Sequence, residues 1–122
     1  MPDTSFPEGS LKLSILNRSR LLDRLIDGQW VTVKVLPEKC LPKGIYHLSE
    51  AEHPAVSSEP ATYSGPLLLV DEQHVYQLQD TTIMRHDRET FGDAAHMSER
   101  LAAGMRLSVT YHLGRRPVVR AA

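Results

Sequence analysis

The sequence predicts a mainly β fold of the α+β class, in the form of a small, strongly bent sheet or SH3-like barrel with an N-terminal amphipathic helix. Three observations lead to this prediction. Short apolar runs that alternate with polar residues recur through the second half of the chain, as is typical of strands. Turn-forming residues separate these runs at short intervals. One stretch near the N-terminus instead repeats its apolar residues at helical spacing.

The helix is predicted for residues 17–27. Asn17 can cap its start, and Gly28 supplies a left-handed stop. The apolar side chains follow the i, i+1, i+4, i+5 spacing of one helical face, at Leu21, Leu22, Leu25 and Ile26. A strand is predicted directly after it, over residues 29–36, because its valines alternate with polar residues in the pattern of a half-buried strand. Residues 1–10 are expected to form a flexible lead.

Further short strands are expected along the rest of the chain. The continuous apolar run 67–70 and the alternating run 74–78 flank a polar turn, so the pair predicts a hairpin. Residues 87–103 are expected to contain one or two helical turns. The remaining predicted strands are 45–48, 82–86, 107–111 and 117–119.

The length of 122 residues fits one domain. Residues 1–41 are interpreted as an N-terminal extension made of the flexible lead, the helix 17–27 and the strand 29–36. Residues 42–122 are interpreted as a small β domain, and the two parts are expected to form one folding unit. Hydrophobic residues make up 41% and charged residues 24%, which is ordinary for a folded protein.

The charge and the lack of targeting segments argue against a nucleic-acid-binding, secreted or membrane protein. The net charge is −1, whereas non-specific nucleic-acid binding usually needs a basic face. One weak candidate for a nucleic-acid-binding edge is the basic cluster Arg115, Arg116 and Arg120. The start of the chain lacks the basic and apolar segments of a signal peptide, and no apolar run approaches the ~20 residues that span a bilayer. We therefore expect a cytoplasmic protein without membrane contact.

No residue pattern predicts catalysis, a metal or a cofactor. Cys40 is the single cysteine, so a multi-cysteine zinc site is excluded. The six histidines lack the short, recurring spacings of metal ligands: His47, His53, His74, His86, His96 and His112. No nucleophile elbow, phosphate-binding glycine loop or His-Glu-x-x-His motif is present. The sequence thus favours a binding module over an enzyme.

A partner-binding site is predicted on the polar loop 49–60 and the adjoining strand edge. This loop is longer than a usual connection, and loops carry binding residues disproportionately because a rigid scaffold presents them. The predicted contact residues are Ser49, Glu50, Glu52, His53, Glu59 and Tyr63. The expected partner is another protein, and an exposed sheet edge could also pair two copies of the chain.

Several segments together resemble the KfrB-type domain of plasmids and conjugative elements. They are the Tyr-Ser-Gly-Pro entry with its apolar strand at 63–71, the His-Val-Tyr-Gln run at 74–77, Arg-His at 85–86 and Leu-Ser-Val-Thr-Tyr at 107–111, together with Gly-Ile-Tyr-His-Leu at 44–48, Phe91 and Gly104. The resemblance covers residues 42–120. Residues 92–103 are longer than the family pattern, and 1–41 have no counterpart in it.

The resemblance implies a non-catalytic adaptor module that serves plasmid maintenance, partition or transfer. Two alternatives stay open at this point. A small domain of a mobile element could instead inhibit host defence, as anti-CRISPR and anti-restriction proteins do. It could also be a regulator that binds nucleic acid.

Overall fold

The computed structural model describes residues 6–91 and 101–121. Within these ranges the secondary structure is nine β-strands and two short 3-10 helices. The chain folds as two compact units, one that ends at Glu50 and one that begins at Ala51. Among the described residues, no helix has the length and hydrophobicity that a membrane-spanning helix needs.

The first unit is a four-stranded antiparallel sheet. Its strands are β1 (Leu11–Leu16), β2 (Ser19–Ile26), β3 (Gln29–Pro37) and β4 (Gly44–His47), followed by the 3-10 helix Leu48–Glu50. They lie in the order β3-β2-β1-β4. The strands predicted at 29–36 and 45–48 correspond to β3 and β4.

The predicted helix 17–27 is wrong, because these residues form β2 and the turns on either side of it. Asn17 and Arg18 have φ angles of 51° and 66°, and Asp27 and Gly28 have 50° and 78°. Two consecutive residues with positive φ between antiparallel strands make a type I′ turn, whose twist matches that of the strands it joins. The residues interpreted as helix caps are therefore hairpin turns.

The interior of the first unit is apolar, and four polar side chains are also buried there: Ser10, Ser14, Arg20 and Asp23. Its buried apolar residues are Leu13, Ile15, Leu25, Leu41 and Leu48. The Nε of Arg20 donates a 2.6 Å hydrogen bond to the carbonyl of Pro37, and burial lowers the pKa of its guanidinium. Thr32 donates a 2.6 Å bond to the carboxylate of Asp23. These bonds satisfy polar groups that would be costly to bury alone.

The second unit is a five-stranded antiparallel sheet in the order β7-β6-β5-β8-β9. The predicted hairpin and the three later strands are confirmed by β5 (Ala61–Val70), β6 (His74–Gln79), β7 (Thr82–Asp87), β8 (Arg106–Tyr111) and β9 (Val118–Ala121). Of the helical turns expected in 87–103, the 3-10 helix Arg88–Phe91 lies within the described residues, whereas residues 92–100 lie outside them.

The prediction of an SH3-like barrel is wrong. The two sheets are separate, and the second has open ends at β7 and β9. The outer edge of β7 instead pairs with Glu52 in a parallel bridge to Met84. A segment of the predicted loop therefore occupies the edge that a closing strand would need.

The long strand β5 is where the second sheet bends. Residues 61–66 pair with β8, whereas 67–70 pair with β6 across a register shift. Gly65, at the change between the two ladders, has a φ of +150° and lies against the backbone of Leu78. The bend surrounds a core of buried residues: Leu67, Val75, Phe91, Leu107, Val109 and Tyr111.

Candidate functional site

A buried polar network lies inside the bent sheet of the second unit. Gln77 and His86 have no exposed surface, and Tyr111 is 7% exposed. The amide nitrogen of Gln77 donates to the carbonyl of Leu107 at 2.8 Å, so its oxygen is the acceptor that faces His86. Nε2 of His86 donates to this oxygen at 2.7 Å. Nδ1 therefore carries no hydrogen and accepts from the Tyr111 hydroxyl at 2.5 Å.

Burial keeps both titratable groups of this network neutral. It lowers the pKa of His86 to about 4, against a smaller opposing effect of Asp87. It also raises the pKa of Tyr111 to about 12, despite a hydrogen bond with Thr90 that favours ionisation. A neutral imidazole with both nitrogens bonded is held in one tautomer. The hydrogen bonds of the network thus hold the side chains of His86 and Tyr111 in one arrangement.

An open pocket of about 190 Å³ lies at the tyrosine end of the network. Arg85 of β7 reaches into this region and donates a 2.9 Å hydrogen bond to Nε2 of His53. The pocket therefore combines acidic, basic, hydroxyl and apolar groups. Its lining residues are His53, Pro54, Val56, Arg85, Asp87, Thr90 and Tyr111.

A second, larger pocket of about 550 Å³ shares two lining residues with the first. It lies between the end of β7 with its 3-10 helix and the edge strand β9, and Asp87 and Thr90 line both pockets. Its other lining residues are Glu89, Phe91, Arg116, Pro117, Val118 and Val119. We call the two pockets together the β7–β9 groove. It lies between the two open ends of one sheet, so it exists because the sheet bends without closing.

The loop beside the groove is held at several points. The backbone of Glu52 accepts from Arg85 at 2.9 Å and donates to Ile83 at 2.8 Å. The hydroxyl of Tyr63 accepts from the amide of Ala55 at 2.8 Å, and Ser57 accepts from the amide of Leu113 at 2.8 Å. These bonds fix one wall of the groove in position.

The structure distributes the predicted partner-binding residues over both units. Ser49 and Glu50 belong to the first unit, where Ser49 accepts from the amide of Leu11 at 2.9 Å. In the second unit, His53 lines the groove and Tyr63 holds the loop, as described above. Glu52 pairs with the β7 edge through its backbone, and Glu59 accepts through its carbonyl from Ser57. Whether these residues bind a partner stays a prediction.

The three arginines predicted as a weak nucleic-acid edge separate in the structure. Arg116 lines the β7–β9 groove. Arg120 lies in β9 opposite Ser108, and Arg115 precedes both in the turn between β8 and β9. All three are exposed.

Sequence reasoning missed the groove and the network beneath it. The only signal was the Arg-His-Asp run at 85–87, in which a carboxylate flanks His86. The buried amide of Gln77 had no signal, because alternation in β6 predicts an outward-facing polar residue beside Tyr76. In the structure all four residues 75–78 are buried.

The sequence of the second unit matches a known domain family. The second unit is an open antiparallel sheet, and residues 62–120, from β5 to β9, match the model of the KfrB domain. The resemblance seen in the sequence is thus confirmed for this region. A particular relative is Protein TraB of Escherichia coli, which is 42% identical over 85 residues. The match covers 70% of this chain and 58% of the relative, so the chain spans little more than half of that protein's length.

Proposed function

We propose that this chain is a non-catalytic, cytoplasmic adaptor of a plasmid or conjugative element, and that it binds a protein partner in the β7–β9 groove. The observation that carries the proposal is the groove itself. It is open, it mixes apolar side chains such as Val118 with charged ones such as Glu89, and it lies on a hydrogen-bonded sheet. Surfaces of this composition are typical of binding sites, where a few polar groups fix the orientation of an apolar contact.

The chemistry under the groove supports binding over catalysis. The nearest buried imidazole, that of His86, has both nitrogens engaged and a pKa of about 4. It is therefore poorly suited to remove a proton from a substrate near neutral pH. Tyr111 donates its only hydroxyl hydrogen to that imidazole. Both groups instead hold the floor of the groove in one arrangement, which reduces the entropy lost on binding.

The KfrB match and the TraB relative supply the biological setting of the proposal. The KfrB match lies in the second unit, which also contains the groove. The adaptor role in maintenance, partition or transfer is what this resemblance implies for the chain. The first unit lies outside the KfrB match.

An affinity pull-down from a plasmid-bearing host, followed by mass spectrometry, tests the proposal. Val56 is 55% exposed at one end of the groove, and Val118 is 47% exposed at the other. A partner that fills the groove should be retained by the unaltered chain and lost with Val56→Glu and with Val118→Glu. The matched control is Leu113→Glu, since Leu113 is 61% exposed in the same unit but does not line the groove.

Groove-dependent capture must then be reproduced with the purified partner. Titration calorimetry should give at least tenfold weaker binding for both groove variants than for the Leu113→Glu control. A partner that binds all four proteins equally contradicts the groove as the binding site. Turnover of that partner by the chain would contradict the non-catalytic role.

A further inference from the structure

One face of the first sheet is covered at one end by aromatic side chains. Phe6 stacks on His47 at the end of β4, with ring centroids 4.4 Å apart, and meets Trp30 of β3 edge-on at 5.7 Å. Lys12 of β1 lies over the Trp30 ring, 4.6 Å from its centroid. Lys12 and His47 are paired directly, so their side chains share this face. The segment before β1 therefore shields this end, which we call the covered end.

The other end of the same face is apolar and exposed. A row of directly paired residues crosses all four strands there: Val35, Leu21, Ser14 and Ile45. Ser14 is two residues from Lys12 along β1, so the row lies on the same face as the aromatic cluster, and Leu16 follows it. Val35, Ile45 and Leu16 are 64%, 61% and 40% exposed. We call this part of the sheet, with the turns beside it, the exposed end.

The turns and connections at the exposed end carry cations. Three of them are fully exposed to solvent: Arg18, Lys39 and Lys43. The amide of Glu38 donates a 3.2 Å hydrogen bond to the carbonyl of Arg18, which holds two of these segments together. Among the described residues of the first unit, Glu38 is the one acid at this end, and it is half-buried. An apolar group bordered by charged residues is typical of an interaction surface.

The acids of the unit lie mainly beyond the covered end. Three of them are exposed: Glu8, Asp27 and Glu50. Glu8 accepts a 2.8 Å bond from the amide of Asp27, and Ser49 accepts from the amide of Leu11 at the start of β1. An exposed cation, Arg24, also lies toward this end, where it pairs with Leu11. The unit thus has a net positive end and a net negative end, and a negatively charged surface would orient it with the exposed end forward.

We propose that the exposed end of the first sheet binds the surface of an anionic phospholipid bilayer. A lipid interface presents negative headgroups directly above acyl chains, so it takes up cations and aliphatic side chains together. Single-stranded nucleic acid also carries negative charge, but its bases stack on aromatic rings, and the rings of this face lie at the covered end. The expectation of no membrane contact came from the lack of a membrane-spanning run, which an interfacial contact does not require.

Sedimentation of the full chain with lipid vesicles tests the charge requirement. The probes are vesicles of phosphatidylcholine alone and of phosphatidylcholine mixed with anionic phosphatidylglycerol. We expect binding to the mixed vesicles only, and weaker binding in added salt. Lys43→Gln should weaken it about fivefold, since one cation near an anionic leaflet contributes about 1 kcal/mol. The matched control is Lys34→Gln, which should change binding much less, because Lys34 pairs with Leu22 on the opposite face of the sheet.

The same assay tests the apolar requirement. Ile45→Glu and Val35→Glu each remove an aliphatic contact and add a charge that the lipid repels, so binding should fall by about tenfold or more. The matched control is Leu113→Glu, because Leu113 is 61% exposed in the second unit. Val118→Glu in the β7–β9 groove should also bind vesicles normally. Loss of the groove partner and loss of vesicle binding are therefore separate results.

The native thiol reports the orientation of the bound unit. Cys40 is the single cysteine and is exposed beside Lys39 at the exposed end. A polarity-sensitive fluorophore on Cys40 should shift its emission to shorter wavelength when the mixed vesicles are added. In a Cys40→Ser background, the same label on Glu50→Cys, beyond the covered end, should not shift.

Four outcomes would overturn the proposal. They are no binding to the mixed vesicles at low salt, equal losses for Lys34→Gln and Lys43→Gln, equal shifts for the two labels, and binding of a single-stranded oligonucleotide in place of vesicles. The last would assign the surface to nucleic acid. Circular dichroism of each variant separates loss of lipid contact from loss of folding. A folded Ile45→Glu variant that no longer sediments with vesicles, beside a Leu113→Glu variant that does, is the result that supports it.

Discussion

The hydroxyl of Tyr111 lies 2.5 Å from Nδ1 of His86, and this bond joins β8 to β7. The two strands are not neighbours, since β6 and β5 lie between them in the sheet. The bond therefore crosses the concave side of the bent sheet. Gln77 completes the bridge from β6. The curvature that opens the β7–β9 groove and the polar network beneath it are two results of the same bend.

The chain should lose stability in mild acid through His86. An unfolded histidine titrates near pH 6.5, whereas the folded pKa is about 4. Between these values the unfolded state binds a proton that the folded state rejects, so this contribution is fully present above about pH 6.5 and is lost as pH falls towards 4. The difference corresponds to about 3 kcal/mol. Urea unfolding measured from pH 7 to pH 4 should follow this decline.

Nuclear magnetic resonance assigns the effect to the residue. The ring signals of His86 in the folded protein should keep their neutral positions down to about pH 4. Titration of these signals near pH 6.5, with the protein still folded, would show that the network does not exclude the charged imidazole.

At alkaline pH the ionisation of Tyr111 should lower the stability of the folded chain. Its folded pKa of about 12 exceeds the usual value of 10.0, so the unfolded state releases a proton more readily. The stabilisation from the neutral Tyr111 is fully present below pH 10 and is lost between about pH 10 and 12. The total loss in the free energy of unfolding over this range is about 3 kcal/mol. Thermal melting over this range should show a steeper fall for the unaltered chain than for Tyr111→Phe.

The Tyr111→Phe change should itself destabilise the second unit near neutral pH. It keeps the ring but leaves Nδ1 of His86 buried without its donor, which typically costs about 1–3 kcal/mol. The matched control is Tyr46→Phe, because the Tyr46 hydroxyl donates a 2.9 Å bond to the carbonyl of Pro42 at an exposed position. Urea unfolding should show the smaller loss for Tyr46→Phe. Equal losses would contradict a special role for the buried bond.

Gly65→Ala should be among the most damaging small substitutions. A Cβ at this position would overlap the carbonyl oxygen of Leu78, and the φ of +150° is strained for any L side chain. Because the obstacle is backbone, relief requires β5 and β6 to move apart, and we expect a loss of about 3 kcal/mol or more. Gly114→Ala is the control, since its φ is also positive but nothing lies within 4 Å. Comparable melting temperatures for the two variants would contradict this account of the bend.

The strands of the second unit could be predicted from local pattern, whereas β2 could not. In β5 to β8 the apolar runs are short and are bounded by turn residues, so alternation and turn chemistry agree. In β2 the apolar residues Leu21, Leu22, Leu25 and Ile26 satisfy helical spacing. The decisive information was the Asp-Gly pair at 27–28, a strong hairpin signal that also resembles a helix end. Burial of Arg20 and Asp23 in β2 obscured the period of the strand.

The candidate groove could not be predicted from local sequence, because contacts between residues far apart in the chain form it. The long loop was visible as a surface feature, and His53 within it does line the groove. Its opposite wall, at Val118 and Val119, becomes a neighbour only because the sheet bends. Local pattern records neither the bend nor the bonds that hold Glu52 to β7. Both arise from backbone geometry that no single segment specifies.

The pairing of β5 with β8 also determines the order in which the second unit can assemble. Strands β5, β6 and β7 are joined by short turns, so they can form a meander from local contacts. Pro66, however, pairs with Arg106, and Ala61 with Tyr111, which requires closure of a loop of roughly 40 residues. Long-range contacts of this kind slow folding. During folding, the upstream half of β5 therefore stays an unpaired edge after β5, β6 and β7 have come together, until β8 reaches it.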